Sequence, residues 1–331
     1  MSTSEAPRVA TPTASQPRVT VVVVTWNGAH LLPACLDSLR VQTQPHRVLV
    51  VDNASADGTA ELLATRYPEA CVVRLDSNTG FAGGAQSGLD ATSTPYAAFL
   101  NNDAVADPGW LSALIEHLDA DPSLAAVTSR LLLAEDGRVN NAGGALNRWG
   151  VGYDRGYGAP DGPPYDEPVD VAAFCGGAAV LRVDDARRVG GFDPTFFLYY
   201  EDTDLSWRLG TAGRRIRYVP DAVVHHQHSA STDQASAAFA FYNQRNQLLM
   251  LIRNAPASVV VAALLRFIAV TAIGLVRRRS GHTGRLRHRL HVLSAVTRQL
   301  PRRVRERRRI GRAAVVSRRT FCRKWLGVDA P

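Results

Sequence analysis

The chain has 331 residues, of which 46% are hydrophobic and 21% are charged. This composition is typical of a globular protein with one large or two ordinary domains, and it excludes wholesale disorder. The formal net charge is +8, but it is unevenly distributed. Residues 277–331 contain 18 basic and two acidic residues, a net charge of +16, whereas the other 276 residues carry −8. The sequence therefore combines an acidic body with a strongly basic tail.

The first 17 residues are rich in Ser, Thr, Ala and Pro and contain no apolar core. We therefore expect a disordered lead-in here and not a signal peptide. The four cysteines have no C-x-x-C or zinc-type spacing, which argues against a disulfide framework and favours a reducing compartment. They are Cys35, Cys71, Cys175 and Cys322.

Strand and helix patterns alternate four times before residue 101. The run RVTVVVVT at 18–25 is apolar and β-branched, which is typical of a strand buried on both faces of a parallel sheet. The alternation predicts βαβ units in a right-handed, doubly wound sheet. The predicted strands are 18–25, 47–52, 71–75 and 96–100, and the predicted helices are 30–41, 57–67 (capped by Asp57) and 84–92.

Polar residues follow each of these four predicted strands. Ligands of such sheets bind beyond the carboxyl ends of the strands. A single cluster could be turn chemistry, since Asn and Asp are favoured in turns, but four clusters at one edge favour a pocket for a polar ligand. The clusters are Thr25-Trp26-Asn27, Asp52-Asn53, Asp76-Ser77-Asn78 and Asn101-Asn102-Asp103.

The second half of the body is less regular. Residues 143–170 are rich in Gly, Pro and Tyr, which predicts a long loop over the site. Residues 173–183 have strand character, and 200–209 have the pattern of a short helix with acidic residues in its first turn. Residues 215–226 predict two short strands on either side of Pro220-Asp221.

The chain changes character after residue 238. In residues 257–276 the only charge is Arg266, and 20 residues are long enough to cross a bilayer. An arginine at the centre of a span costs about 2.5–3.5 kcal/mol on insertion scales. A membrane span, a surface or re-entrant helix pair and a soluble helical hairpin all remain open.

A basic helix is predicted beyond this apolar segment. Apolar residues recur at helical spacing, arginines fill the other faces, and Pro301 is expected to interrupt the helix. This pattern predicts an interfacial amphipathic helix. The apolar positions are Leu286, Leu290, Leu293, Leu300 and Val304.

Three groups of side chains could carry chemistry. Asp103 follows a predicted strand, where a carboxylate could hold Mg²⁺ or Mn²⁺ against a diphosphate. Glu201, Asp202 and Asp204 stand beside an apolar run that could raise the pKa of one of them and make it a general base. In the histidine tract, strand alternation lets only one of His225 and His226 face the site and complete a metal centre. Each group also has a purely structural explanation. Asp103 could belong to a turn at the end of the strand, the acidic cluster could stabilise the dipole of its helix, and the histidine tract could simply be exposed to solvent.

Taken together, seven motifs in order resemble the inverting family 2 glycosyltransferases, and in particular their rhamnosyltransferase-like branch in bacterial cell-wall and polysaccharide synthesis. The resemblance covers about residues 18–230. It implies a GT-A fold: a doubly wound, nucleotide-binding, Rossmann-like mixed α/β sheet. The motifs are TWNG (25–28), VVDNASADGT (50–59), NTGFAGG (78–84), LNNDA (100–104), CGGAAVLR (175–182), GGFDPTFFLYYEDTDLSWRL (190–209) and VVHH (223–226).

The resemblance also implies roles for individual residues. Asp202 would be the catalytic base, with Glu201 as its neighbour and possible substitute. Asp103 and His226, or the adjacent His225, would hold Mn²⁺ or Mg²⁺, although Asn101 replaces the first acid of the family's metal motif. The residues that would bind the nucleotide sugar are Thr25, Asn27, Asp52, Asn78, Gly83, Gly84, Asn102 and Asp103.

The expected organisation is a disordered segment at 1–17, a glycosyltransferase domain at 18–235, and a helical membrane-associating extension at 236–331. The resemblance favours dTDP-L-rhamnose as donor and leaves UDP-galactofuranose and UDP-hexoses open. The expected acceptor is a lipid-linked saccharide at the cytoplasmic face of the cell membrane, whose anionic surface would bind the basic tail. Arg245 could meet an acceptor phosphate or be an ordinary helix-surface residue.

Two other classes compete with this interpretation. A nucleotidyltransferase usually carries a Gly-rich loop with a basic residue after the first strand, but here that place holds Thr25-Trp26-Asn27-Gly28. A nucleic-acid-binding arm would explain the basic tail. It would not explain the apolar segment before the tail or the leucines within it, and we therefore expect no nucleic-acid partner.

Overall fold

The structure is a computed structural model that describes residues 17–227, 236–276 and 282–327. Apart from Pro17, the N-terminal segment expected to be disordered lies outside the described residues.

The first hundred residues form the predicted alternation of strands and helices. The central strand β1 pairs in parallel with β2 on one side and with β4 on the other, and β2 pairs in parallel with β3. Most of β1 and all of β4 are buried, as their continuous apolar runs predict. The elements are β1 (Val19–Thr25), α1 (Leu32–Arg40), β2 (His46–Asp52), α2 (Thr59–Arg66), β3 (Cys71–Arg74), α3 (Gly80–Ala91) and β4 (Tyr96–Leu100).

The second half of the body extends this sheet and makes it mixed. The further elements are β5 (Ala104–Ala106), α4 (Trp110–Ala120), β6 (Leu124–Leu133), β7 (Val139–Asn141), β8 (Gly144–Leu146), β9 (Gly152–Asp154), β10 (Val169–Asp170), β11 (Ala178–Arg182), α5 (Val183–Arg188), a 3-10 turn (Pro194–Phe196), α6 (Glu201–Thr211) and β12 (Arg215–His226). The strand order is β10-β12-β6-β11-β4-β1-β2-β3, and β11 runs antiparallel to both β4 and β6. A mixed α/β sheet with helices on its faces is the result.

Three sequence predictions about elements need correction. Helix α3 begins at Gly80 and not at residue 84, because Asn78 Oδ1 accepts a hydrogen bond from Gly80 N at 2.8 Å and starts the helix there. Residues 215–226 form one strand, β12, whose register shifts between Val219 and Val223. Pro220 lies in that bulge, where its missing N–H costs no ladder hydrogen bond. The expected long loop at 143–170 contains the hairpin β8–β9 and the short strand β10.

The C-terminal region is helical, as predicted. It consists of α7 (Ala237–Asn254), α8 (Ala257–Val276), α9 (His282–Ala313) and α10 (Arg318–Trp325). Helix α7 packs against α6 of the body and against α9. The expectation that Pro301 interrupts the basic helix is wrong, since α9 continues through it. A proline removes one backbone hydrogen bond, and buried residues on both sides of it, Val296 and Arg303, hold α9 in place.

Helix α8 and part of α9 leave apolar side chains at the surface. Ala263 and Phe267 of α8 are buried, but other large apolar side chains of this helix are about half exposed. Within the described ranges, no helix combines the length and apolar character that a bilayer crossing requires. The core-facing residues of α9 are Val292 and Val296, whereas Leu290 and Leu300 of the predicted stripe are 53% and 41% exposed. The exposed residues of α8 are Val261, Leu265, Ile268, Val270 and Ile273.

Candidate active site

The predicted nucleotide-binding residues meet at the carboxyl edge of the parallel strands. Thr25 ends β1 and Asn102 follows β4, and Asn102 Nδ2 donates a hydrogen bond of 3.0 Å to Thr25 Oγ1. A Cβ on Gly28 would lie 2.4 Å from Asn102 Nδ2, so only glycine fits beside this pair. These residues form one wall of a polar crevice.

Asp52, at the end of β2, is fully buried. Its Oδ1 accepts from Ser55 N at 2.9 Å, and its Oδ2 accepts from Arg74 Nη1 at 2.8 Å. Arg74 is half exposed and was not singled out from the sequence. If Asp52 binds the nucleobase of the donor, that nucleobase must share Asp52 with the Arg74 guanidinium or displace it.

The loops after β1 and β2 are fastened to each other by side chains. Asn27 Oδ1 accepts from Ala56 N at 2.8 Å, and Asp57 Oδ2 accepts from Ala29 N at 2.9 Å. Asn27 itself has a positive φ of 49°. The residue that caps α2 is Gly58, and Asp57 reaches Thr59 N only at 3.3 Å, so the predicted cap is one residue off.

The start of α3 closes the crevice. Asn53 Oδ1 accepts from Thr79 N at 2.8 Å, and Asn53 Nδ2 donates to Gly80 O at 2.9 Å, which ties the end of β2 to this helix. Gly83 and Gly84 lie inside α3 and not in a turn. A Cβ on Gly84 would meet Val24 Cγ1 at 2.5 Å, so this glycine brings the helix close to β1.

Asp103 and His226 lie side by side, as the metal prediction requires. His226 Nε2 is 3.1 Å from Asp103 Oδ1, and both side chains are largely buried. The other ring nitrogen, Nδ1, is 2.7 Å from Asn140 Oδ1. Because Asn140 Oδ1 can only accept, Nδ1 donates to it, and this bond orients the ring with Nε2 toward Asp103. His225 is instead 44% exposed and 3.4 Å from Asp107, so it does not share this position.

These donors fit a divalent cation. A carboxylate and an oriented imidazole are suitable ligands for Mn²⁺, and a nucleoside diphosphate could supply the remaining oxygens. In the described part of the chain, no three His, Cys, Asp or Glu side chains come close enough together to hold a metal ion. A metal at Asp103 and His226 would therefore depend on the phosphates of the nucleotide.

The three acidic residues at the start of α6 have different environments. Asp204 is fully buried and accepts from Arg208 Nε at 2.9 Å and from Arg253 Nη1 at 2.8 Å. Glu201 is also buried, and burial together with the nearby charge of Asp202 raises its pKa well above the usual range. Asp202 alone is partly exposed. The acid cluster therefore separates into one ion-paired carboxylate (Asp204), one buried carboxyl group with a raised pKa (Glu201) and one partly exposed carboxyl group (Asp202).

Asp202 is held as a base would need to be. Its Oδ2 accepts from Gly176 N at 3.1 Å, and its Oδ1 accepts from Thr203 N at 2.5 Å. Burial raises the pKa of Asp202, and the charge of Asp154 adds to this effect. A carboxylate with a raised pKa is a better proton acceptor than one in water.

Asp202 opens into a cavity of about 170 Å³ between α6 and the hairpin β8–β9. Asn141 Nδ2 donates to Asp154 Oδ1, and the Tyr200 hydroxyl accepts from Gly152 N at 3.3 Å. The sequence predicted that residues 143–170 lie over the site, but it singled out none of their side chains because the hairpin was expected to be an irregular loop. The residues around the cavity include Asn141, Gly152, Tyr153, Asp154, Cys175, Tyr199, Tyr200, Glu201, Asp202, Thr203 and Asn243.

The structure differs from both expectations for Arg245. This side chain is buried, and its Nη2 donates to the carbonyls of Thr195 and Phe196 at 2.9 and 2.7 Å. It is neither a surface residue nor placed for an acceptor phosphate.

The fold and this arrangement of residues define a class of protein. The sequence model of the glycosyl transferase family 2 matches residues 20–160, and that of the glycosyl transferase family group 2 matches residues 98–286. The chain belongs to glycosyl transferase family 2.

The chain is similar to several curated glycosyltransferases. The chain is 33% identical over 229 residues to the pre-mycofactocin glycosyltransferase of Mycobacterium tuberculosis, a match that spans 68% of this chain and 46% of that protein. It is 32% identical over 244 residues to the N-acetylglucosaminyl-diphospho-decaprenol L-rhamnosyltransferase of the same species, with 65% of this chain and 78% of the relative covered. It is also 26% identical to the O-antigen chain rhamnosyltransferase RfbN of Salmonella typhimurium, over 64% of this chain and 67% of RfbN.

Solved structures share the fold at low sequence identity. GalNAc-T7 with UDP, GalNAc and Mn²⁺ superposes with a TM-score of 0.61 at 15% identity, over 85% of this chain and 55% of that one. The mannosyltransferase PcManGT of Pyrobaculum calidifontis, in complex with GDP-Man and Mn²⁺, superposes with a TM-score of 0.53 at 19% identity, over 88% and 89%. These two neighbours are GT-A glycosyltransferases, so the predicted fold class is confirmed for the body of the chain.

Proposed function

We propose that this protein is an inverting glycosyltransferase that moves a sugar from a nucleotide-diphosphate donor to a hydroxyl group. The observation that carries the proposal is the placement of two kinds of group at one end of a GT-A sheet. Asp103 and His226 form a metal-type pair 3.1 Å apart, and Asp202 is a partly exposed carboxylate with a raised pKa beside a cavity.

The donor would lie in the crevice formed by Thr25, Asn27, Asp52, Asn102 and the start of α3. Asn78 accepts a hydrogen bond at the start of this helix, Gly84 brings the helix close to β1, and with Gly83 they would face the nucleotide sugar. Asp103 and His226 would hold Mn²⁺ or Mg²⁺, which, when bound, offsets charge on the leaving diphosphate. Asn140 keeps His226 in the required tautomer.

The acceptor would enter the cavity beside Asp202. Asp202 would take the proton of an acceptor hydroxyl while that oxygen forms a bond to the anomeric carbon. The bond from this carbon to the diphosphate oxygen would break on the opposite face, and the nucleoside diphosphate would leave. A single displacement inverts the anomeric configuration. Glu201 is buried, and burial with the nearby charge of Asp202 raises its pKa, so we assign the base to the partly exposed Asp202, with Glu201 as its neighbour.

For the donor we propose dTDP-L-rhamnose. Support comes from the relatives that are named as rhamnosyltransferases. UDP-galactofuranose and UDP-hexoses remain alternatives, since few side chains set the choice of sugar. For the acceptor we propose a lipid-linked saccharide, by analogy with the relative whose name gives N-acetylglucosaminyl-diphospho-decaprenol.

We also propose that the C-terminal helices dock on an anionic membrane at its cytoplasmic face, as a peripheral or monotopic contact. Half-exposed apolar side chains on α8, such as Leu265 and Ile268, could enter the interface. Arginines near the end of α9 border a surface depression of about 470 Å³ and could bind lipid phosphates. They are Arg305, Arg308, Arg309 and Arg312.

A thermal-shift screen of nucleotide sugars, with and without Mn²⁺, tests the donor proposal. We expect dTDP-L-rhamnose to raise the melting temperature most. Added Mn²⁺ should raise it further in the wild type but not in Asp103→Asn. A larger shift with a UDP-sugar would overturn the donor assignment.

Flotation with vesicles containing anionic lipid tests the docking of the C-terminal helices on a membrane. Binding to nucleic acid without recruitment to these vesicles would contradict it.

A further inference from the structure

The segment immediately before the proposed base has an unusual backbone. Phe197 has φ 64° and ψ −59°, and Leu198 N donates to Phe196 O at 2.8 Å, which makes a tight γ-turn centred on Phe197. Tyr199 and Tyr200 both have φ 69°, and α6 begins at the next residue. Bulky residues rarely adopt these conformations, so the surrounding structure must hold them in place.

The carbonyls of this segment show what holds it. Asn246 Nδ2, on α7, donates to Phe196 O at 2.9 Å, Leu198 O at 2.7 Å and Tyr199 O at 2.8 Å. The one carbonyl between these, Phe197 O, accepts from Ala82 N of α3 at 3.1 Å. Every carbonyl from 196 to 199 therefore accepts a hydrogen bond from an element outside the segment.

Asn246 is itself fixed. It is fully buried, and its Oδ1 accepts from Arg245 Nε at 2.8 Å, while Arg245 Nη2 donates to Thr195 O and Phe196 O. The Arg245 guanidinium also lies 4.8 Å from the centre of the Tyr242 ring, which stacks on Phe197. The amide group of Asn246 thus has one orientation, set by its neighbours, toward the strained turn.

We propose that Asn246 is a positioning residue for Asp202. The two amide hydrogens of Asn246, shared among three carbonyls, keep residues 196–199 in a conformation that they would not adopt alone. This conformation sets where α6 starts and where its second residue, Asp202, points. This inference rests on the proposed role of Asp202 as the base. It assigns a catalytic purpose to a contact between the body and the C-terminal helices.

The test compares Asn246→Ala with Asn246→Asp, which keeps the shape but presents no amide hydrogens, and with Ser129→Ala as a control. Ser129→Ala removes another buried bond, from Trp110 Nε1 at 2.8 Å, on the far side of the sheet core. We expect Asn246→Ala to lower kcat about 100-fold, the size expected when a reacting group is displaced by about 1 Å. The affinity for the nucleoside diphosphate and Mn²⁺ should stay at the wild-type value.

The pH profile provides a readout that lost stability alone would not move. Burial raises the pKa of Asp202, so a displaced and more hydrated carboxylate should shift the acid limb of kcat/KM to lower pH. Ser129→Ala should leave this limb and kcat unchanged. If the folded Asn246→Ala protein keeps wild-type kcat and pH profile, Asn246 is not a positioning residue. If Asp202→Asn also keeps its turnover, the fault lies instead with the proposed base.

Discussion

A buried ion network joins the C-terminal helices to the body, and replacing Asp193 by Asn should lower the free energy of unfolding. Asp193 is 3% exposed and accepts from Arg303, which is fully buried, and from Arg253 at 3.2 Å. Removing one partner of a buried ion pair costs about 3–5 kcal/mol, because the remaining charge stays desolvated. Arg303 keeps Glu306 at 2.8 Å and Arg253 keeps Asp204 at 2.8 Å, which favours the lower end of this range.

Thermal and urea unfolding of the full chain would measure this cost. A loss of about 3 kcal/mol corresponds to a melting temperature lower by about 4 °C, because an unfolding entropy of about 2.1 cal/mol/K per residue gives about 0.7 kcal/mol/K for 331 residues. Glu69→Gln is the matched control, because its pair with Arg40 is about half exposed and should contribute less than about 1 kcal/mol. Equal melting temperatures for Asp193→Asn and Glu69→Gln would refute the reasoning.

The pH dependence provides a second check on the same pair. The arginines lower the pKa of Asp193 far below its usual value, despite the opposing effect of burial. A group with a lowered folded-state pKa stabilises the protein fully above its unfolded-state pKa of about 3.9, and the stabilisation is lost as the pH falls toward the folded-state value. The stability difference between wild type and Asp193→Asn should therefore be constant from pH 7 to 5 and shrink below about pH 4.

Three further predictions concern the site and the sheet. Asn140→Ala should weaken Mn²⁺ binding in the presence of nucleoside diphosphate by about 10-fold or more, because it releases the ring of His226. His225→Ala is the control and should leave the Mn²⁺ affinity, measured by calorimetry, unchanged. A larger loss of affinity in His225→Ala than in Asn140→Ala would contradict the metal assignment. Glu201→Gln should keep most of the turnover, since Glu201 is buried and Asp202 is the proposed base, and a loss as large as that of Asp202→Asn would argue against this. Gly84→Ala should destabilise the fold by about 1–3 kcal/mol, because its Cβ would lie 2.5 Å from Val24. Gly109→Ala, with open space around it, is the control in chemical unfolding.

The sequence predicted those parts of the fold that local pattern determines. The apolar runs of β1 and α8 predicted elements close to those observed, 18–25 against Val19–Thr25 and 257–276 against Ala257–Val276. The antiparallel insertion of β11 between β4 and β6 was not predicted, because strand pairing depends on contacts between distant parts of the chain. Pro301 was misjudged for the same reason: tertiary packing of α9 outweighs the local cost of a proline.

The site shows the same division. Strand alternation allowed one of His225 and His226 to complete a metal centre with Asp103, and the family resemblance favoured His226, which is 123 positions away from Asp103. The supporting residues Asn140 and Asn246 were missed, and Asn53 was assigned to a polar cluster without its bonds to α3, since each acts through hydrogen bonds to segments far away in sequence. The local sequence around a single asparagine does not predict which distant segment its side chain will bind.

Sugar transfer by Asp202→Asn is the measurement that tests the central claim most directly. We expect this variant to bind the nucleotide sugar with wild-type affinity and to lose transfer to the acceptor, because an amide cannot accept the hydroxyl proton. Near-normal turnover of Asp202→Asn, measured with the donor that the wild type uses, would contradict the assignment of the active site.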